Sequence, residues 1–194
     1  KIISFIAYTS LVIGLLIILI ISVSTSINIF ILVAACCFLG YLYQGPPFRL
    51  GYQGLGEPLC WLAFGPFAYS AVLIALNPSN IYFEDIPWKV SLLLGSGPSL
   101  ATTLVLFCSH FHQISEDKKH GKNSPLVRLG AKKGSQFVPW IIFTIYIFQL
   151  FTIVYGFIPV FCILYLLSFP QAIRLINLLK SSYAKPSAIK NCKF

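Results

Sequence analysis

Charge is the scarcest property of this sequence. Of its 194 residues, five are acidic and 10% are charged, whereas a soluble domain carries about a quarter. That scarcity excludes an ordinary water-soluble fold, whose surface needs polar cover. Long apolar runs, in a chain that is 57% hydrophobic, need no such cover in lipid. Methionine is absent altogether, even at position 1, and the chain opens inside an apolar run at Lys1-Ile2-Ile3. It reads as an internal piece of a longer protein, with no legible signal or transit peptide. The six cysteines are Cys36, Cys37, Cys60, Cys108, Cys162 and Cys192. They form no CxxC pair, so their spacing carries no zinc or redox signal. Five lie in apolar runs and read as small apolar helix residues. Also missing are a Ser-His-Asp set, a carboxylate pair suited to glycoside chemistry and the clustered aspartates of alcohol phosphotransferases. Gly121-Lys122 is no phosphate-binding P-loop, because Asn123 follows the lysine and Glu116 stands where a glycine is required.

What is present is a series of apolar runs. Six spans are predicted, at Ile2–Val23, Ile27–Tyr43, Pro58–Leu76, Val90–Phe111, Phe137–Phe157 and Pro159–Leu179. Each is near the roughly 20 residues that a helix needs to cross the hydrocarbon core. Helices are the expected solution, because backbone groups find no water there. The fold class is therefore all-α, a polytopic transmembrane helix bundle. No repeat and no linker divides the chain, so residues 1–194 read as one domain.

The formal charge of +9 would suggest nucleic acid as a partner of a soluble protein. Here the basic residues sit between apolar spans, so nucleic acid is not expected. With six spans the loops alternate between two faces. One face carries Lys1, Arg49, the cluster from Lys118 to Lys133, Arg174 and the lysines from Lys180 onward. The other carries only Lys89. The positive-inside rule makes the basic face cytoplasmic, or stromal in a plastid. Abundant Ile, Phe, Lys and Asn suit an AT-rich coding genome, compatible with a plastid or cyanobacterial origin.

The acidic residues are few enough to be informative. Glu84 and Asp85 lie on the weakly charged face beside Asn80, Pro87 and Trp88, as solvated turn residues. Glu57, Glu116 and Asp117 lie on the basic face, in two loops. The first loop runs from Tyr41 to Pro58 and combines four glycines, three prolines, three tyrosines and Arg49. It should be stiff and non-helical. It is either a shaped interfacial turn or a ligand-binding loop. The second runs from His110 to Gly130. If the preceding helix continues past the membrane, His110, Gln113 and Asp117 share one face at i, i+3 and i+7. Lys122 and Arg128 follow. Oxygen ligands beside bases suit a magnesium–diphosphate group; the other reading is a solvated basic loop. His112, Glu116 and His120 could line a second helical face, a weak metal signal.

The stretches "YQGPPFRLGYQGLGEPLCWLAFG", Tyr43 to Gly65, and "HFHQISEDKKHGKNSPLVRLG", His110 to Gly130, together resemble the polar motifs of the UbiA superfamily of intramembrane prenyltransferases. The likeness is to the 1,4-dihydroxy-2-naphthoate branch, in its phytyl-transferring form from oxygenic phototrophs. The resemblance runs along essentially the whole chain. It implies a nine-helix fold of which this chain holds helices three to eight. The first aspartate-rich motif and the terminal helices would then lie outside it, the domain would be incomplete at both ends, and the piece alone should be inactive.

The same resemblance implies site residues. Asp117 matches the second aspartate of the DxxxD-type second motif, as a Mg2+ ligand. Gln113 stands where the first aspartate would be, a departure that brings no charge and that Glu116 could offset. Lys122 and Arg128 match the bases after the motif, and Tyr43 and Arg49 match residues of the earlier loop. Arg49 would hold either the diphosphate or the carboxylate of the aromatic acid. The implied reaction joins a phytyl or longer prenyl group, from its diphosphate, to the naphthoate ring with loss of CO2, in phylloquinone or menaquinone biosynthesis. Homogentisate is the alternative acceptor. A transporter is the alternative class, but transporters place ionisable groups at mid-membrane and this candidate site lies at one interface.

Overall fold

The computed structural model describes residues 2–77, 82–183 and 185. Lys1, Asn80, Lys190, Cys192 and Lys193 lie outside the described residues. Among those described, six helical segments are long and apolar enough to cross a membrane. The first two are α1 (Ile2–Ser24) and α2 (Ile27–Gln44). Ser26 caps α2, its side chain accepting from the Asn28 N–H, which satisfies one of the donors a helix start leaves free.

The third span combines α3 (Gly56–Leu62), a π-helical turn (Ala63–Phe67) and α4 (Ala68–Leu76). Pro66 lies in the turn. A proline inside a helix lacks an N–H and crowds the carbonyl one turn earlier, and a π turn is one way to absorb that within a continuing helix. The Cys36 thiol of α2 lies 3.5 Å from the Ala63 carbonyl oxygen in this turn.

The fourth span is α5 (Trp88–Ser109), followed by two short helices, α6 (Ile114–Lys119) and α7 (Pro125–Leu129). The region after the fourth span is thus largely helical, contrary to the loop expected there. The fifth span, α8 (Ala131–Val154), begins six residues before the predicted Phe137. Polar Lys132 and Lys133 carry its first turn out of the apolar run, and Gly130, at φ +79°, makes the sharp turn from α7. The sixth span opens as a 3-10 helix (Val160–Ser168) and continues as α9 (Phe169–Ser182). There the Tyr165 hydroxyl donates to the Tyr146 carbonyl at 3.1 Å.

Helix α5 is the centre of the bundle. Of its span 44% is buried, against 6% for the first and sixth. It packs on the π turn and α3 on one side and on α8 on the other. Small residues permit the first contact: a Cβ on Gly95 would lie 2.9 Å from the Gly65 carbonyl carbon, and one on Gly65 would lie 2.6 Å from Ser99 Oγ. Close backbone approach of this kind is how helices associate in lipid, where apolar burial gives little drive. One apolar cluster, including Ile29, Leu32, Ile74 and Ile86, sits under the turn that leads into α5. The other, including Phe107, Phe111, Leu126 and Leu179, sits at the basic end. Large side chains along α1 stay exposed, with Ile2 at 78% and Val23 at 79%. That is untenable in water and ordinary for a face turned to lipid. The chain is an integral membrane protein with an all-helical fold.

The Gly95 contact is testable by comparison with Gly40 of α2, which has open space around its would-be Cβ. Gly95→Ala should destabilise the detergent-solubilised protein by about 1–3 kcal/mol, the usual cost of overpacking. Gly40→Ala should be neutral or slightly stabilising, because alanine favours helix. Melting curves of the two variants giving equal shifts would contradict the packing described.

Candidate active site

Two polar segments meet at the basic end of the bundle. The first begins where α2 stops. The Gly45 N–H donates to the Tyr41 carbonyl, and the Tyr41 hydroxyl donates to the Pro46 carbonyl at 2.6 Å. The Pro46–Pro47 peptide is cis, and Arg49 (φ +44°) and Gly54 (φ +76°) are both left-handed. Between them Leu50–Gln53 forms a 3-10 turn. The stiff, irregular loop expected from its glycines and prolines is what forms. Its glycines fold it over Tyr43: a Cβ on Gly56 would lie 2.7 Å from the Tyr43 ring, and one on Gly51 would lie 2.9 Å from the Tyr43 carbonyl oxygen.

The second segment departs from expectation. Helix α5 does not run on through Asp117. It ends at Ser109, tightens into a 3-10 turn at His110–His112, and breaks at Gln113 before α6. His110 and Asp117 nevertheless meet across the 3-10 turn and the break that separate α5 from α6. His110 Nδ1 lies 3.1 Å from Asp117 Oδ2. Gln113 turns its amide toward His112, 3.3 Å away. The break also separates His112 from Glu116 and His120, so these three do not share one continuous helical face. The chain then doubles back, with the Lys122 N–H donating to the Asp117 carbonyl at 2.8 Å. That return brings Lys122 Nζ to 3.5 Å from Asp117 Oδ1. Asp117 is buried and has a base on each carboxylate oxygen, an arrangement that offsets part of the cost of burying charge.

Three contacts clasp the segments together. The Asn123 N–H donates to the Tyr52 carbonyl at 2.7 Å, and Arg128 Nη2 donates to the Gln53 carbonyl. Gly54 approaches so closely that a Cβ would lie 2.6 Å from the Asn123 carbonyl oxygen. Between the segments is a cavity of about 370 Å³. Tyr43, Gln113, Glu116, Asp117 and Lys122, all named from the sequence, line it together with Tyr52. Arg49 and Arg128 are exposed and stand outside that lining. Arg49 lies over the Tyr52 ring, 5.9 Å from its centroid, and Arg128 holds the clasp.

Glu57 is the residue for which the sequence suggested no role. It lies in the first turn of α3, with Oε1 3.9 Å from His110 Nε2. That oxygen is buried and makes no hydrogen bond. The scarcity of acidic residues was the available signal, but only the fold brings residues 57 and 110 together.

The donor set bears on Mg2+. Among the described residues, no group of three His, Cys, Asp or Glu side chains could hold an ion alone. The residues that line the cavity do include two carboxylates, Asp117 and Glu116, and the amide Gln113. Mg2+ commonly takes one or two carboxylates and completes its shell with water and phosphate oxygens. The residues therefore fit an ion that arrives with a phosphorylated ligand, and do not fit a cage made of protein alone.

The sequence model of the UbiA prenyltransferase family matches residues 3–191. A Synechocystis protein named 2-carboxy-1,4-naphthoquinone phytyltransferase is 39% identical over 84% of this chain and 51% of its own length. An Arabidopsis thaliana protein named 2-carboxy-1,4-naphthoquinone phytyltransferase, chloroplastic, is 48% identical over 63% of this chain and 32% of its own length. The chain thus spans about half, or less, of these curated relatives. No solved structure matches it.

The clasp can be opened selectively. Gly54→Ala combines a left-handed backbone with a clash against Asn123, a strain of about 1–3 kcal/mol. Hydrogen exchange at residues 50–56 and 122–128 should accelerate while the spans keep their protection. Asn123→Ala, which leaves the backbone contact in place, should change little. Equal exchange in wild type and Gly54→Ala would show that the two segments are not held this way.

Proposed function

This chain belongs to the UbiA prenyltransferase family, and from that membership we propose that the complete protein transfers a phytyl or related prenyl group from its diphosphate to 1,4-dihydroxy-2-naphthoate, with loss of CO2, in phylloquinone or menaquinone biosynthesis. The observation that carries the reading is the cavity between the clasped segments, lined by Asp117, Glu116, Gln113 and Lys122 at the end of an apolar bundle. A prenyl diphosphate is divided in the same way, with a charged head and a long apolar tail.

In this scheme the C–O bond to the diphosphate breaks, a C–C bond forms to the ring, and the ring carboxylate leaves as CO2. Bound Mg2+ would screen the negative charge that develops on the departing diphosphate. Lys122 adds a fixed cation at the same place, and Asp117 holds that ammonium in position. Tyr43, packed beneath Gly51 and Gly56, gives the cavity a rigid aromatic wall. The surrounding lipid and apolar helices keep water from quenching the allylic cation.

The relatives' names favour a naphthoquinone-type ring over homogentisate. They name the quinone, however, and ring attack on a cation requires electron density. The reduced, dihydroxy form is therefore the reactive acceptor in this proposal. The Synechocystis and chloroplast relatives support a cyanobacterial or plastid membrane, with the basic segments on the cytoplasmic or stromal face.

The decisive assay uses the complete protein in membranes, with labelled phytyl diphosphate, dihydroxynaphthoate and Mg2+. A magnesium-dependent prenylnaphthol product is expected. Lys122→Ala should lower kcat/KM for the diphosphate by roughly 10- to 150-fold, equivalent to the 1.5–3 kcal/mol of a charged hydrogen bond. No product with any ring or tail, from protein shown to be folded and inserted, would overturn the reading.

Topology is tested separately by thiol labelling in a cysteine-free background. A cysteine at Lys118 should react only from the cytoplasmic or stromal side, and one at Glu84 only from the other. Labelling of both from the same side would refute the six-span alternation.

A further inference from the structure

His110 is buried between two carboxylates supplied by different elements. Its Nδ1 lies 3.1 Å from Asp117 Oδ2, and its Nε2 lies 3.9 Å from Glu57 Oε1. An ionised carboxylate can only accept, so Nδ1–H is the donor to Asp117. The Glu57 oxygen beyond the ring is sealed from solvent and has no hydrogen-bond partner. A buried polar atom left in that state is costly, and the imidazole Nε2 is the polar atom beside it. Each of the three stands on a helical turn. His110 lies in the 3-10 turn that follows α5, Glu57 in the first turn of α3, and Asp117 in α6. Asp117 lines the cavity, whereas His110 and Glu57 are not among its lining residues.

We propose that Glu57 and His110 are positioning residues that act in series on Asp117, fixing its carboxylate toward the cavity so that it can receive a metal–diphosphate ligand. The inference rests on the prenyl-transfer reading of the same site. Its logic is that of an outer shell around a metal ligand, in which a histidine or carboxylate behind the ligating group sets its orientation and basicity. Here the carboxylate is the ligand and the imidazole stands behind it. With its one proton on Nδ1, the ring presents Nε2 as an acceptor; closing the 3.9 Å gap to hydrogen-bond length lets a neutral Glu57 carboxyl donate to it and ties α3, at the end of the first polar segment, to the second. Lys122 on the other oxygen leaves Asp117 little freedom to rotate.

The test uses the full-length protein and two readouts. Mn2+ replaces Mg2+, and its binding in the presence of inorganic pyrophosphate is followed by electron paramagnetic resonance; prenyl transfer is assayed in parallel. His110→Ala should weaken Mn2+ binding roughly 10- to 100-fold, the range for loss of an outer-shell partner. His110→Asn places an amide N–H near the position of Nδ1 and should recover most of that loss. Glu57→Ala should weaken binding less than His110→Ala, and the double variant should be no worse than His110→Ala alone, because Glu57 acts through the ring. Three results overturn the relay. These are wild-type Mn2+ affinity in a folded His110→Ala protein, failure of His110→Asn to recover binding, and additive effects of the two alanine substitutions. A wild-type protein that binds no Mn2+ with pyrophosphate also overturns it. Binding that follows the relay pattern without prenyl transfer would sink the functional reading alone. Transfer by the wild type, with Mn2+ binding indifferent to His110, would sink the relay alone.

Discussion

The hydrocarbon core of a bilayer offers a backbone amide no partner but another backbone group, and the rest of this structure follows from that constraint. It makes the spans helical. It also removes most of the hydrophobic drive for helices to associate, so packing depends on close contact between small residues such as Gly65 and Gly95. Non-helical backbone is tolerated where water or protein can satisfy it, as at the ends of the spans. Both polar segments therefore form at one end of the bundle, beyond α2 and beyond α5. The same physics that keeps charge out of the spans concentrates Glu57, Glu116, Asp117 and Lys122 into a small volume.

Concentration alone does not make a site. A run of lysines at a membrane face is ordinarily a solvated loop obeying the positive-inside rule. What distinguishes this one is order imposed from two directions. The backbone clasp between Asn123 and Tyr52 holds the segments in register. The buried contacts of Asp117 with His110 and Lys122 hold a charge that would otherwise turn to water. Arg49 and Arg128, conspicuous as phosphate-binding candidates in the sequence, are placed in this structure as contacts within the loops. Arg128 donates to a main-chain carbonyl and Arg49 sits against Tyr52.

The sequence carried the spans clearly because lipid leaves hydropathy as the dominant signal. Five of the six begin and end within a few residues of where the apolar runs do; Ala131 is the outlying start, where polar residues extend a helix beyond the apolar run. Local backbone choices were less legible. Nothing in the apolar stretch Val160–Ser168 marks it as 3-10 rather than α. The break at Gln113 was hidden for the opposite reason, since the spacing of His110, Gln113 and Asp117 fits an unbroken helix. The meeting of His110 with Asp117 came about by a different geometry from the one the spacing suggested. Glu57 was invisible as a partner because its neighbour in space is 53 positions away in the chain. Periodicity reads local faces and is silent on which loops fold over one another.

The position of the cavity also narrows what kind of chemistry the fold can support. A transporter needs a polar path across the membrane, with its site near the midplane. Here the ionisable groups converge where α2 and α5 end, and the contact between α5 and its neighbours is closed by glycines and serines. That geometry suits a substrate already dissolved in the lipid, whose charged end needs a polar seat at the interface. In the proposed reaction, the cation formed beside that seat would lie next to apolar helices and lipid, with water kept to the polar side. The requirement for an electrostatically prepared head site and the requirement for a dry tail site are met by one boundary, the end of the hydrocarbon layer.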